Sequence, residues 1–275
     1  MEKYSVLMPL WYKENLDYLK TSLESILAQT VKPDEVVMIE DHPISDEMKA
    51  LMDGLFENSG VALNIYENFD LDGKGLSSIL SFGVPKCRNS LIARMDTDDI
   101  ACLDRCEAEL KEFEVDADLA LVGAWVDEFD DDPDTIKAVH SVPGRMDDIK
   151  KRMKYTNPFN HPTVMFKKDA VLSVGNYDPA LKKNEDYDLW YRLVSSGYKC
   201  KNINRSLLKF RRGAAFTKRR KNREQHLGKI ALKRKMFKDG YMSRGEYAVS
   251  YVMEKLYFLM PARIRKTAFK ILGKN

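Results

Sequence analysis

The stretch LIARMDTDDI, residues 91–100, places three carboxylates, Asp96, Asp98 and Asp99, directly after a short apolar run. Such a run predicts a buried strand, so the acids fall where that strand ends. In an open α/β sheet, ligands bind outside the carboxyl ends of the strands. Carboxylate oxygens gathered there suit Mg²⁺ or Mn²⁺, which can bridge to a diphosphate. The stretch therefore predicts an enzyme that handles a phosphorylated ligand.

Short apolar runs alternate with helical patterns through the first half of the chain. Strands are predicted at residues 4–10, 35–39, 61–66, 90–95 and 119–125, and helices at residues 15–29, 46–56, 75–84 and 103–115. Repeated strand–helix units are typical of a mostly parallel central sheet flanked by helices. Glu40 and Asp41 follow the second strand as Asp96 follows the fourth, so both acidic groups lie at strand ends. The predicted fold class is α/β.

A second acidic pair occurs in NEDYDLWYRLVSS, residues 184–196, after a predicted helix at 146–154 and a predicted strand at 163–166. Helical spacing buries the apolar side chains of this segment and puts Glu185 and Asp186 in the first turn. Carboxylates in that position complement the positive end of the helix dipole. The Glu185–Asp186 pair therefore has two possible roles, a structural one at the end of the helix and a catalytic one.

Composition favours one large α/β domain, or one domain with an appendage. With 275 residues, 44% of them hydrophobic, the chain can bury a large core. Its four cysteines have no paired metal-ligand spacing, which fits reduced thiols in a cytosolic protein better than disulfides or a zinc site. No signal peptide is expected, and no run of about 18 apolar residues predicts a membrane-spanning helix.

Charge is divided unevenly along the chain, although the formal net charge is only +3. Residues 1–204 carry 24 Lys and Arg against 38 Asp and Glu, whereas residues 205–275 carry 21 against 4. The pattern predicts a catalytic domain at 1–204 and a basic helical C-terminal extension at 205–275. Cationic segments beside a mixed apolar and aromatic helix, residues 247–260, favour attachment to an anionic membrane surface. A helix packed on the domain and a dimer contact remain open alternatives.

Four segments, in order, resemble glycosyltransferase family 2: SVLMPLWYKENLDYLKTSLESILAQT from residue 5, EVVMIED from residue 35, ARMDTDDI from residue 93 and NEDYDLWYRL from residue 184. The motifs ARMDTDDI, NHPTVMF and EDYDLW are most similar to bacterial exopolysaccharide and capsule enzymes of the amylovoran type. The resemblance implies a GT-A nucleotide-diphospho-sugar transferase fold. It also implies transfer of a hexose or N-acetylhexosamine from a UDP-sugar to a glycan acceptor linked to polyprenyl diphosphate.

The resemblance assigns the metal and the base pocket to specific residues. Asp96, Thr97 and Asp98 match the DXD signature, which implies that Asp98 binds Mn²⁺ or Mg²⁺ directly and that Asp96 lies nearer the ribose as a further ligand. Arg94 is expected to support these acids on the donor side. Matches to the nucleoside-binding loops are Pro9, Trp11, Tyr12, Glu40 and Asp41. Either acid can accept an N–H of the base, and the two aromatic residues either stack on it or pack within their loop.

The resemblance also implies the chemistry of transfer. Asp186 matches the catalytic base of an inverting single displacement, and Glu185 is the alternative base. His161, in NPFNHPTVMF, is expected near the acceptor or the diphosphate. Arg211 and Arg212, in the basic region, are candidates to close over the donor diphosphate.

Other classes of protein fit the sequence less well. A basic C-terminus can bind nucleic acid, but residues 1–204 would repel phosphate backbones, so no nucleic-acid partner is expected. A phosphatase with an Asp–x–Asp nucleophile would carry it after the first strand, where residues 10–12 are LWY. A sugar nucleotidyltransferase would need a Gly-rich basic loop near the N-terminus, which is missing. The expected location is the cytoplasm, at the inner face of the cell membrane.

Overall fold

A computed structural model describes residues 2–69, 75–212 and 223–260 of the chain. The first half contains β1 (Tyr4–Leu10), α1 (Leu16–Leu27), β2 (Glu35–Glu40), α2 (Asp46–Phe56), β3 (Ala62–Glu67), α3 (Leu76–Lys86), β4 (Leu91–Arg94), β5 (Ile100–Ala101) and α4 (Arg105–Val115). The second half contains β6 (Leu119–Phe129), β7 (Ala138–His140), α5 (Met146–Met153), a 3₁₀ helix (His161–Thr163), β8 (Met165–Lys167), α6 (Lys168–Ser173), α7 (Glu185–Ser195), β9 (Lys199–Arg211), α8 (Arg223–Lys238) and α9 (Arg244–Leu259).

The strands of the described residues form one mixed sheet in the order β3-β2-β1-β4-β8-β6-β9-β5, with β7 beside β6. The first four strands in this order, β3, β2, β1 and β4, are parallel to one another. β8 is antiparallel to both β4 and β6, and β9 is parallel to β6. Because β2, β1 and β4 are adjacent and parallel, the chain segments that follow them emerge at the same edge. The predicted α/β sheet with flanking helices is confirmed.

Apolar side chains on both faces of the sheet hold the helices in place. On one face, Leu7 of β1 and Ile92 of β4 belong to the core that includes Trp190 of α7. On the other face, Val6 and Met8 of β1 pack in the core with α1, α2 and α4. A strand buried on both faces gives a continuous apolar run, which is why these segments could be identified from sequence.

The long strand β9 differs from the prediction of a helical extension from residue 205. Residues 205–211 continue this strand, with Leu208 paired to Val126 of β6 and to Ala101 of β5. Leu207 and Leu208 are buried in the sheet, while cationic residues alternate with them along the strand. The change in charge at residue 204 therefore falls inside a strand, and the described helical part of the C-terminal region is α8 and α9.

The helices α8 and α9 pack against the rest of the protein. Lys154 after α5 forms an ion pair with Glu246 of α9, with 2.6 Å between Nζ and Oε1. The Tyr191 hydroxyl donates to the Asp239 carboxylate at 2.8 Å. This is the packed arrangement that the sequence left open, and none of the described helices is long and apolar enough to cross a membrane. The basic residues predicted beyond residue 260 lie outside the described residues.

Candidate active site

The acidic loop after β4 is anchored by Arg94. This side chain is only 1% exposed, and both of its terminal nitrogens donate to the Asp96 carboxylate, one of them at 2.8 Å. Asp96 itself is partly exposed at the edge of the sheet. Arg94 therefore orients the Asp96 carboxylate through two charge-assisted hydrogen bonds.

The loop between β1 and α1 supports the same acidic loop from the side. The Thr97 hydroxyl donates to the Glu14 carboxylate at 2.8 Å, and the Ser22 hydroxyl donates to the main-chain oxygen of Asp96 at 3.2 Å. Glu14 lies just before Asn15, whose side-chain oxygen caps the first turn of α1. The start of α1 is therefore linked directly to the DXD segment.

Arg211, at the end of β9, holds the acidic loop from the sheet side. Its Nε donates to the main-chain oxygen of Asp98 at 2.9 Å, and its main-chain N–H donates to Asp99 Oδ1 at 2.9 Å. The guanidinium lies 3.8 Å from the ring centre of Tyr18 and 4.6 Å from that of Phe129. Arg211 is thus buried under the loop, which differs from the hypothesis that it closes over a diphosphate. Its neighbour Arg212 forms an ion pair with Glu128 at 3.2 Å.

The acidic loop offers a donor set that suits a hard cation. Asp98 and Asp96 are partly exposed, and the Asp99 Oδ2 atom is buried with no hydrogen-bond partner among the described residues. Burial and the charges of Asp96 and Asp98 raise the pKa of the Asp99 carboxyl well above its usual value. In the described part of the chain no group of three or more His, Cys, Asp or Glu forms a complete metal site. One or two carboxylates fit a cation that takes its other ligands from water and phosphate.

The second acidic pair lies at the start of α7, as predicted. Asp186 Oδ2 accepts from the Asn157 amide at 2.6 Å, and Oδ1 accepts from the Tyr187 main-chain N–H at 2.8 Å. Glu185 is more deeply buried than Asp186. Burial raises the pKa of both carboxyl groups, and the charge of Asp186 raises that of Glu185 further. Both groups therefore hold a proton more readily than an exposed carboxylate does.

Buried aromatic residues pack around His161. His161 Nε2 lies 2.9 Å from the Tyr177 hydroxyl, and the His161 ring also packs edge-on against Trp190. Burial, together with the positive charge of Arg94, lowers the pKa of His161 well below its usual value. The charge of Arg94 also lowers the pKa of Asp186. Arg94 therefore acts electrostatically on both sets of acids that the sequence predicts as functional.

Asp186 and His161 line a cavity of about 530 Å³. Asn157 lines the same cavity. Its lining also includes residues from α8, α9 and the segment before α7: Lys183, Asn184, Gln225, Lys229 and Tyr257. The C-terminal helices thus complete a cavity that opens onto the second acidic pair.

Unpartnered polar groups gather at the end of β2. The buried Glu40 Oε2 and Asn68 Nδ2 atoms have no hydrogen-bond partner within the described residues. Burial and the nearby charge of Glu67 raise the pKa of the Glu40 carboxyl. A carboxylate and an amide left unpaired at one strand end are able to bind a ligand that carries both donors and acceptors.

Aromatic residues border the same strand end. The Tyr12 ring packs on the His42 ring with 4.6 Å between centroids, while Trp11 is 50% exposed. Pro9 pairs with Ile39 in the register of β1 and β2, which brings this loop next to Glu40. Asp41 Oδ1 lies 3.3 Å from His42 Nδ1. The Tyr12 ring is therefore held by its contact with His42, while half of the Trp11 surface is exposed.

Several residues at these sites were not predicted from the sequence. Asn157, Asn68, Tyr177 and Glu14 reach the candidate site from loops with no recognisable spacing. Asn157 is the one that carried a signal, because it opens the segment NPFNHPTVMF that was already singled out for His161.

Comparison with known proteins identifies the family. The sequence profile of Glycosyl transferase family 2 matches residues 5–174. The chain belongs to this glycosyltransferase family. It is 31% identical over 269 residues to UDP-Gal:alpha-D-GlcNAc-diphosphoundecaprenol beta-1,3-galactosyltransferase of Escherichia coli, covering 98% of this chain and 95% of that protein. It is also 31% identical to the amylovoran biosynthesis glycosyltransferase AmsE of Erwinia amylovora, covering 98% and 96%. The resemblance inferred from the motifs is confirmed.

Solved structures with the GT-A fold resemble this glycosyltransferase along nearly its whole length. The mannosyltransferase PcManGT of Pyrobaculum calidifontis, solved with GDP-Man and Mn²⁺, has a TM-score of 0.66 and 14% identity, covering 100% of this chain and 76% of that one. Residues 1–349 of S. aureus TarS give a TM-score of 0.67 and 12% identity, covering 97% and 74%. The predicted GT-A fold is confirmed.

Proposed function

We propose that this glycosyltransferase transfers a hexose or N-acetylhexosamine from a UDP-sugar to a lipid-linked glycan, with inversion and with the help of Mn²⁺ or Mg²⁺. The observation that carries the proposal is the action of Arg94 on two acidic groups. It contacts the Asp96 carboxylate and also acts electrostatically on Asp186, which faces the cavity. A metal-bound donor and an acceptor hydroxyl can therefore meet between these acids.

Asp98 and Asp96 would hold the cation on the donor side. When bound, such a cation stabilises the negative charge that develops on the departing diphosphate. Arg94 keeps Asp96 oriented, and Arg211 keeps the main chain at Asp98 in position. We assign no direct contact with the diphosphate to Arg211, because it is buried beneath the loop.

Glu40 is the acid we assign to the nucleoside. Its unpaired Oε2 atom can accept the N–H of a uracil ring, and the unpaired Asn68 amide can donate to a ring oxygen. Asp41 is less suited, because it is more exposed and lies against His42. The exposed ring of Trp11 is available to stack on the base, while Tyr12 supports the loop through its contact with His42.

Asp186 is the group we assign as general base. It faces the cavity, and hydrogen bonds from Asn157 and the Tyr187 main chain fix both of its oxygens. It can take the proton from the attacking hydroxyl as the new bond forms, which typically contributes about 10²–10⁴-fold to the rate. A single base acting opposite the leaving group gives inversion. Burial and the charge of Asp186 raise the pKa of Glu185 to about 7, so we assign Glu185 to orienting the site and not to proton transfer.

A lipid-linked acceptor is supported by the name of the Escherichia coli relative, whose acceptor is a sugar diphosphoundecaprenol. The outer face of α9 adds a structural argument. Its exposed apolar side chains recur at helical spacing: Val249, Val252, Met253, Leu256 and Leu259. The inward positions Ser250 and Glu254 are polar, so the apolar stripe of α9 points away from the protein. With a net positive C-terminal region, this face suits the anionic inner surface of the cell membrane.

Two conservative variants test the proposed roles. Asp98→Asn should abolish Mn²⁺-dependent binding of UDP, whereas Asp186→Asn should keep UDP binding and lose transfer by about 10²–10⁴-fold. A panel of sugar nucleotides, assayed for slow Mn²⁺-dependent hydrolysis, identifies the donor for these measurements. Near-normal transfer by Asp186→Asn, or UDP binding by Asp98→Asn that still responds to Mn²⁺, would contradict the assignment.

A further inference from the structure

Two lysines line the cavity that contains Asp186. Lys183 lies three residues before Asp186, and Lys229 lies on α8. Neither side chain forms an ion pair with another of the described residues. The charge of Lys183 nevertheless lowers the pKa of Glu185, so it acts on the acidic pair from nearby.

A close contact between α8 and the segment before α7 brings the lysines together. The Asn184 amide donates to the main-chain oxygen of Gln225 at 3.0 Å. A Cβ atom at Gly228 would meet the Asn184 side-chain nitrogen at 2.6 Å and lie 3.6 Å from the main-chain oxygen of Lys183. Because Gly228 directly precedes Lys229, the absence of a side chain there lets the two lysine-bearing segments approach.

Asn184 adopts an unusual backbone conformation at this contact. Its φ is +63°, a left-handed value that asparagine tolerates better than most residues. Its side chain spans the gap to α8 rather than capping α7. The segments that carry the two lysines are therefore held together by an uncommon main-chain geometry and a close helix approach.

We propose that Lys183 and Lys229 bind the diphosphate of the acceptor. This inference rests on the proposed function, because it assigns a binding site to the diphosphate of the lipid-linked acceptor proposed above. Asp186 and the two lysines line the same cavity, so when a sugar hydroxyl is held at Asp186, the two cations can neutralise the diphosphate on the same sugar. The lipid chain then leaves on the side of α8 and α9, and α9 carries the exposed apolar stripe.

Binding of geranyl diphosphate, measured by titration calorimetry in EDTA, tests this assignment. EDTA removes any cation that would link the diphosphate to the acidic loop. Lys183→Ala and Lys229→Ala should each weaken binding about tenfold, and Lys229→Arg should restore most of the affinity. Lys182→Ala and Lys238→Ala are matched controls on the same two segments, and both should bind as the wild type does.

Two further ligands distinguish a lipid-linked diphosphate from other sources of the signal. Geraniol should not bind measurably, and inorganic pyrophosphate should bind more weakly than geranyl diphosphate and lose affinity in the same two variants. Equal affinity for pyrophosphate and geranyl diphosphate would overturn the assignment in favour of a free anion. Unchanged affinity in both alanine variants would overturn the role of the lysines.

Donor chemistry provides a separate readout. Mn²⁺-dependent hydrolysis of a UDP-sugar should be retained in Lys183→Ala and Lys229→Ala, because neither lysine is assigned to the donor. A wild-type protein that hydrolyses no UDP-sugar would contradict the proposed function. Loss of diphosphate affinity in the variants would still support an anion site in that case, so the two failures can be told apart.

Discussion

Arg211 donates through its Nε to the main-chain oxygen of Asp98 at 2.9 Å, from a position beneath the acidic loop. Its guanidinium is also held between the rings of Tyr18 and Phe129. A strand that carries one of the most basic segments of the chain thus positions the acids expected to bind the metal. The contact joins the end of β9 to the end of β4 across the sheet.

Replacing Arg211 by lysine should weaken Mn²⁺-dependent binding of UDP about tenfold. Lysine keeps the charge, but it lacks the Nε donor and the flat guanidinium that fits between two rings. The matched control is Arg212→Lys, which alters the ion pair with Glu128 and leaves the Asp98 contact intact. Calorimetric titration of UDP with and without Mn²⁺ gives the affinities, and a melting curve checks the fold. Equal metal-dependent affinity in wild type and Arg211→Lys would refute the positioning role.

The first half of the fold was predictable because its strands are buried on both faces. Segments such as β1 and β2 are nearly continuous apolar runs, and turn residues separate them from amphipathic helices. The acids Glu40 and Asp96 could be placed at one edge of the sheet because parallel strands share their carboxyl ends. The GT-A fold then followed from motifs arranged in order along the chain.

The strand β9 and its role could not be predicted from the sequence, and the reason is physical. Its sequence, KCKNINRSLLKFR, is rich in charge because its cations pair with acids on neighbouring elements, as Lys201 does with Glu112 at 2.6 Å. Charge counting alone therefore assigned residues 205–211 to a helical extension. In the same way Asn157 and Asn68 come from loops, and nothing in their local sequence shows which buried group they approach.

Replacing Glu40 by alanine should weaken UDP binding about tenfold, and Asp41→Ala should have a smaller effect. The buried Oε2 atom of Glu40 has no hydrogen-bond partner among the described residues, so an N–H of the base would be the first donor to bind it. Asn68→Ala should also weaken binding, because its unpaired amide lies at the same strand end. Affinities for UDP and for ribose 5-phosphate separate the base from the rest of the ligand. A larger loss of UDP affinity in Asp41→Ala than in Glu40→Ala would assign the contact with the base to Asp41 instead.

The acid limb of the rate profile, where activity falls as the pH drops, should move in one of two variants near Asp186. Asp186 must be ionised to accept a proton, and burial raises its pKa while the Asn157 amide and Arg94 lower it. Asn157→Ala removes a donor to the charged form, so the pKa rises further and the acid limb moves to higher pH, by about one unit. Glu185→Gln should leave the limb in place, because burial and the charge of Asp186 raise the pKa of Glu185 to about 7, so Glu185 already holds a proton at lower pH.

Both profiles are measured as kcat against pH with saturating donor and acceptor. Activity of Asn157→Ala should recover as the pH rises, which a misfolded variant would not do. An acid limb that stays in place in both variants would show that a different group accepts the proton.

Aspartate on the outer face of α9 should release the protein from anionic membranes. Val252 and Leu256 are more than half exposed and lie one helical turn apart, so Val252→Asp with Leu256→Asp should leave the fold unchanged. The pair removes apolar burial and adds negative charge, which should reduce sedimentation with vesicles of phosphatidylcholine and phosphatidylglycerol about tenfold or more. Val115→Asp, on an exposed apolar residue of α4, is the matched control and should sediment as the wild type does. Undiminished sedimentation of the double variant would refute membrane docking, and a change from dimer to monomer on a sizing column would assign the stripe to a second copy of the chain instead.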